Sequence, residues 1–433
     1  MAGGNKEISR LAGGIINIRS TKEGKEMTWQ ERIKLEPETI QGRCDCSPEE
    51  VGYDSSRIKA LNRHIQSMIE RNMIFSGSYC LSRHGKIFAN TALGRLACPW
   101  QGREVFTPDT FFELQSVGKL MTAIAVLKLA EDGVIYLDQP VYDWIPEFDR
   151  KDFRKITILH CLTHTSGLAG LPGTHQDIRI DWTTLVDKSD VKDTWIPAIV
   201  KAGLRKLPGE EWSYSMAGYL IVGEIIRRAA GMRAEDFIRE TVLLPCGMTE
   251  CHWRSEPKEA WVSRYNIATK EDIEAIARYE KEGAKAFTQT LIDGSNEIPN
   301  TAGGQMCTAK ELVQFGEMLL NGGTYRGNRV IGKKALEYLF TNMIENNLRD
   351  HCWDHPGNRV IYGAGAPIMR CGLDRQQLVS NDVLYHEGHG ACMFLVDRKE
   401  NMVAVYQTRF VKDDDWYWEA VKGMTSVIWS GIK

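Results

Sequence analysis

Thr110-Phe111-Phe112-Glu113-Leu114-Gln115-Ser116-Val117-Gly118-Lys119-Leu120-Met121-Thr122-Ala123-Ile124-Ala125-Val126-Leu127 runs from an aromatic, strand-like approach into a strongly apolar helix. A serine and a lysine stand three residues apart at the junction. Ser-x-x-Lys is a short pattern, and the spacing recurs at Ser56/Lys59, Ser189/Lys192 and Ser255/Lys258. Context separates the four. Ser189 lies in the charged run Asp187-Lys188-Ser189-Asp190, Ser255 has Pro257 inside its motif, and Ser56 begins an amphipathic surface helix. Only Ser116 stands where a buried helix starts. There a backbone N–H lacks an intrahelical partner and favours developing negative charge. A lysine one turn on shares the helix face and reaches the hydroxyl. Apolar walls depress its pKa, so it accepts the serine proton. The plain alternative is a capping serine with a solvated lysine.

Two further segments bear on the choice. Leu207-Pro208-Gly209-Glu210-Glu211-Trp212-Ser213-Tyr214-Ser215-Met216 runs from a Pro-Gly turn into a helix, and presents Tyr214 at its start. A phenol there shares protons with serine and lysine; otherwise it is an ordinary packed aromatic. His386-Glu387-Gly388-His389-Gly390 lies at a strand edge, where glycines let a substrate carbonyl approach the backbone. Its plain alternative is a bulged strand.

With Ser116-x-x-Lys119, Tyr214-Ser215-Met216 and His386-Glu387-Gly388 in this order, the chain resembles the serine β-lactamase and penicillin-binding-protein superfamily, particularly its class C-like branch. Leu162-Thr163-His164-Thr165-Ser166-Gly167-Leu168 and Thr301-Ala302-Gly303-Gly304 are softer matches. The resemblance covers roughly residues 47 to 430. It implies an α/β (α+β) fold, an antiparallel sheet flanked by helices and built from both chain ends, with a helical insertion. Residues 47–110 and 300–433 then form the sheet domain, 111–299 the mainly helical one, and 1–46 an N-terminal extension.

Carried over, the resemblance implies that Ser116 is the acyl-accepting nucleophile. Lys119 and Tyr214 are its proton-transfer partners, and which is the base stays open. The oxyanion donors are the backbone N–H groups of Ser116 and His389. A competing register reads Gly388-His389-Gly390 as the motif and moves the second donor to Ala391. Met216, His386 and Gly388 line the substrate position. Two departures matter. The family's Tyr-x-Asn ends here in Met216, which cannot hydrogen-bond a substrate amide. Its Lys-Thr-Gly is here His-Glu-Gly, so a fixed cation is missing, and Glu387 adds a negative charge beside a part-time charged His386. Both lower the expectation of β-lactams or peptides and raise that of an ester.

The expected activity is a cofactor-free carboxylic-ester hydrolase acting through acyl-Ser116 on a small-molecule substrate. The alternatives are a D-amino-acid amidase, peptidase or β-lactamase, an acyltransferase to a small acceptor, and a silent binding protein of the same fold.

The rest of the 433-residue chain narrows the classes. Lys and Arg total 54 against 57 Asp and Glu, so the formal charge is −3. That balance gives no electrostatic reason for nucleic acid or an anionic membrane as partner. No apolar run approaches the ~18 residues of a spanning helix, and the N-terminus lacks a signal-peptide core. Eleven scattered cysteines then read as mostly reduced thiols and the location as cytoplasmic. Metal sites are not expected at Cys44/Cys46, which has no second pair, nor at His160/His164, which lacks the intervening glutamate.

Local patterning sets the remaining expectations. Ser47-Pro48 opens a helix, a second helix begins near Ser55, and His84-Gly85 turns a hairpin. Leu384 to Phe394 leads through Val396–Asn401 into a strand at Met402–Tyr406, and a final helix starts near Asp414. The stretch 171–200, with His175, Trp182 and Trp195, lacks helical periodicity and is expected to cover the pocket.

Overall fold

The computed structural model describes residues 37–71, 73–94, 106–168, 195–253, 298–344, 348, 360–369, 378–388, 392–410 and 417–433. The main sheet holds β1 (Glu38–Gln41), β2 (Ile74–Arg83), β3 (Lys86–Gly94), β4 (Ile368–Met369), β5 (Val383–Gly388), β6 (Cys392–Asp397) and β7 (Met402–Phe410). Their spatial order is β1-β3-β2-β7-β6-β5-β4, every pair antiparallel. The β2–β7 pair, with Cys80 opposite Val405, joins the two ends of the chain. The helices are α1 (Ser55–Glu70), α2 (Gly118–Glu131), α3 (Ile158–Leu162), α4 (Trp195–Ala202), α5 (Met216–Ala230), α6 (Ala234–Ile238), α7 (Ala309–Leu320), α8 (Lys333–Phe340) and α9 (Thr425–Trp429).

Strand alternation builds the two layers of core. Tyr79, Leu81, Met393, Leu395, Met402, Ala404 and Tyr406 face α1 and α9, packing on Leu61, Ile65, Met68, Ile428 and Trp429. Their neighbours Cys80, Phe394, Val396, Val403 and Val405 face the opposite side, with Leu312 and Phe315 of α7. Both faces are covered, so the central strands read as near-continuous apolar runs. Each fully buried Val, Leu, Met or Phe among them contributes about 1.5–3 kcal/mol before entropy. Helix α2 belongs to the second core and is buried on all sides from Gly118 to Leu127, which explains its lack of a polar face there.

Most local expectations hold. Helix α1 starts at Ser55 because Asp54 accepts a hydrogen bond from the Ser56 N–H. His84 and Gly85 both take positive φ (54° and 75°), the geometry a two-residue turn of right-twisted strands requires. Others need correction. Pro48 precedes only a 3-10 turn, Glu49–Val51. The run from Leu384 to Phe394 is two antiparallel strands, β5 and β6, with Gly388 opposite Cys392. The C-terminal helix is π-wound over Tyr417–Met424 before α9, and its expected start near Asp414 lies outside the described residues. Trp195 is core, at the start of α4, while His175 and Trp182 lie outside the described residues. Residues 38–41, inside the segment read as an extension, form the edge strand β1 on β3. No helix among the described residues is long and apolar enough to cross a membrane.

Candidate active site

A small sheet aims the Ser-x-x-Lys segment. Phe112–Glu113 pairs with Gln305–Cys307, which pairs in turn with His252–Trp253, and the Leu114 N–H continues the ladder to the Gln305 carbonyl at 2.8 Å. The chain then makes a 3-10 turn over Gln115–Val117 and enters α2 at Gly118. Ser116 therefore sits in the turn before the α-helix, not within its first turn. Gln115 has φ +50°, a left-handed conformation that costs a non-glycine residue about 1–2 kcal/mol.

Two backbones hold that turn in place. A Cβ on Gly388 of β5 would lie 2.3 Å from the Leu114 carbonyl oxygen, and one on Gly303 would lie 2.7 Å from the Gln115 carbonyl oxygen. The strand edge and the 301–304 segment thus press on the serine turn from two sides, and only glycine permits either approach.

Lys119 is buried, whereas Ser116 is half-buried. Lys119 Nζ lies 3.1 Å from Ser116 Oγ and donates to the Ala302 carbonyl at 2.6 Å. Thr122 Oγ1 donates to the Thr301 carbonyl at 2.8 Å, fixing the same segment to α2. The ring centroids of Tyr214 and Tyr219 stand 5.0 and 5.5 Å from Nζ, so two aromatic faces wall the amine. Burial pushes its pKa down to about 7, and a large fraction is the neutral, proton-accepting form near neutrality.

Tyr214 is 8% exposed and packs with Trp212, Ile344 and Tyr362. Ser215 is the N-cap of α5, its side chain accepting from the Gly218 N–H at 3.4 Å, so Tyr214 is held just outside the helix. Met216 is the first residue of α5, partly buried against the main core. His386 and Gly388 share the face of β5 that carries Leu384, while Glu387 falls on the opposite face with Tyr385.

His386 is buried, and its Nδ1–H donates to the Glu387 carbonyl at 2.9 Å. Burial, with the Lys119 charge adding to it, pushes its pKa down to about 3. The imidazole is therefore uncharged near neutrality, not charged part of the time. His389 and Ala391, the two competing oxyanion positions, lie outside the described residues.

Ala302, Tyr219 and His164 complete the surroundings of Lys119 and were not singled out as site residues. The Thr301–Gly304 and Leu162–Leu168 matches were the available signals for two of them. His164 lies beyond the end of α3 with φ +59°, so it does not share a helix face with His160.

The profile described as Beta-lactamase matches residues 61–417, and the chain belongs to the beta-lactamase family. Among its relatives, "Penicillin-binding protein 4*" of Bacillus subtilis is 31% identical over 193 residues, 43% of this chain and 41% of that protein. "Esterase EstB" of Burkholderia gladioli is 32% identical over 263 residues, 58% of this chain and 66% of that protein. The chain thus spans about two fifths to just under two thirds of the length of these curated relatives. A solved family VIII carboxylesterase superposes with TM-score 0.63 at 19% identity, covering 88% of this chain and 98% of its own, and so shares the fold.

Proposed function

We propose that the chain is a serine carboxylesterase that hydrolyses a small, neutral ester through acyl-Ser116. The observation that carries the reading is a buried amine of pKa about 7 lying 3.1 Å from a half-buried serine hydroxyl. Ser116 Oγ attacks the ester carbonyl carbon while its proton passes to the Lys119–Tyr214 pair. The N–H groups of Ser116 and His389 receive the charge that develops on the carbonyl oxygen. Collapse expels the alcohol, which takes back the proton, and water then attacks the acyl carbon by the same route in reverse.

The preference for an ester over a β-lactam or peptide rests on the third motif. An anionic substrate carboxylate gains nothing from a neutral His386. Met216 likewise offers no amide to a substrate peptide or β-lactam. The name of EstB agrees with this choice.

A fluorophosphonate probe should form a covalent adduct with the native protein and none with Ser116→Ala, alongside turnover of p-nitrophenyl esters that exceeds turnover of a chromogenic cephalosporin. Equal labelling of both proteins would remove Ser116 from the reaction, and faster cephalosporin cleavage would move the substrate class.

A further inference from the structure

The Leu162–Leu168 turn brings a second imidazole against the cluster. The His164 carbonyl accepts the Ser213 N–H at 2.9 Å, and its Nδ1 accepts the Ser215 N–H at 3.0 Å. The two amides flank Tyr214. The imidazole also lies against the tyrosine ring, centroids 4.2 Å apart and planes 31° to each other. Tyr219, Trp212 and Tyr362 enclose it at 5.3, 5.9 and 5.4 Å, so the ring has no room to swing away.

We propose that His164 is a positioning residue for Tyr214, gripping the chain on both sides of the tyrosine and backing its ring so that it is held beside the Lys119 amine, 5.0 Å from Nζ. The inference rests on the acyl-Ser116 reading above.

Three observations support it. An amide N–H can be accepted only by an unprotonated Nδ1, so the imidazole is neutral with its hydrogen on Nε2. Burial holds its pKa well below the ordinary value, and the nearby Lys119 charge acts in the same direction. Lys119 and His386, with the phenols of Tyr214, Tyr219 and Tyr362, are the titratable groups facing it among the described residues. Backbone conformation alone does not call for histidine: at φ +59° glycine would serve with less strain. The imidazole is also not itself a proton acceptor for Ser116, because its free lone pair is taken by Ser215.

The test is a double-mutant cycle on ester turnover. His164→Asn retains an acceptor for Ser215 and tolerates positive φ but loses the ring. His164→Phe retains a ring and loses the acceptor. Each should lower kcat, by about 10- to 100-fold in the Phe variant, with KM within about threefold, as misplacement of a reacting group does. In a Tyr214→Phe background neither change should lower kcat further, because the group being positioned is gone. Losses that multiply in the double variants, or native kcat in both single variants, would overturn the inference. Failure of the underlying reading is seen separately, as ester turnover by Ser116→Ala.

Discussion

The Ala302 carbonyl accepts a hydrogen bond from Lys119 Nζ at 2.6 Å although 183 residues separate the two. The bond holds the amine at the serine and gives it a polar partner inside an aromatic wall, while burial still disfavours its charge. That geometry makes the lysine costly to the fold and useful to the site.

Lys119→Met should therefore melt higher than the native protein at pH 7 while ester turnover falls by about 10²–10⁴. The unfolded chain holds a proton on Lys119 up to pH about 10.5, whereas the folded chain releases it near 7. Stability from this group rises with pH across that window and is lost as pH falls toward 7, a penalty on the order of a few kcal/mol. Thermal melts at pH 7 and pH 9 check the sign: the gap between variant and native protein should narrow at pH 9.

The pH profile of kcat/KM for a p-nitrophenyl ester should show an acidic limb near 7, tenfold per unit below it, because only the neutral amine accepts the serine proton. A flat profile between pH 5 and 8, measured by stopped-flow, would take Lys119 out of that role.

Acid should destabilise the fold through its buried histidines. His386 and His164 titrate at about 6.5 when unfolded but at about 3 and well below 6.5 when folded, so the unfolded state binds more protons below pH 6.5. Stability is complete above 6.5 and is lost as pH falls, by about 2 kcal/mol at pH 5 for His386, with His164 acting in the same direction. Urea unfolding at pH 7 and pH 5 should show a smaller drop in His386→Asn than in the native protein.

Gly388→Ala should cost about 1–3 kcal/mol and most of the activity, since its Cβ would lie 2.3 Å from the Leu114 carbonyl oxygen and move β5 away from the serine turn. Denaturant midpoints combined with fluorophosphonate labelling rates measure both effects. A native labelling rate would show that the strand edge need not touch the turn.

Met216→Asn restores an amide side chain two residues beyond Tyr214 and should raise cephalosporin turnover relative to ester turnover by about tenfold, the worth of one hydrogen bond. Steady-state kinetics on both substrates give the ratio; an unchanged ratio would mean that residue 216 does not meet the substrate.

Much of the architecture was open to sequence reading because its causes are local. Asp54 and the spacing of Leu61, Ile65 and Met68 specify α1, and His84-Gly85 can make only a tight turn. The break between β5 and β6 was missed because His386-Glu387-Gly388-His389-Gly390 also reads as a bulge within one strand, and only the pairing of Gly388 with Cys392 separates the two readings. The neutrality of His386 was missed for a similar reason: protonation follows burial and neighbouring charge, which no five-residue pattern contains.

By itself, the sequence determined that Ser116 and Lys119 share one helical approach, that Tyr214 precedes a helix, and that His386-Glu387-Gly388 lies at a strand edge, since each depends on residues a few positions apart. Only the tertiary structure decided that the Ala302 carbonyl holds the lysine, that His164 grips both sides of Tyr214, and that β5 presses on the serine turn. Those relations join segments dozens to hundreds of residues apart, and their energies arise from desolvation and close packing, which exist only once the chain has folded.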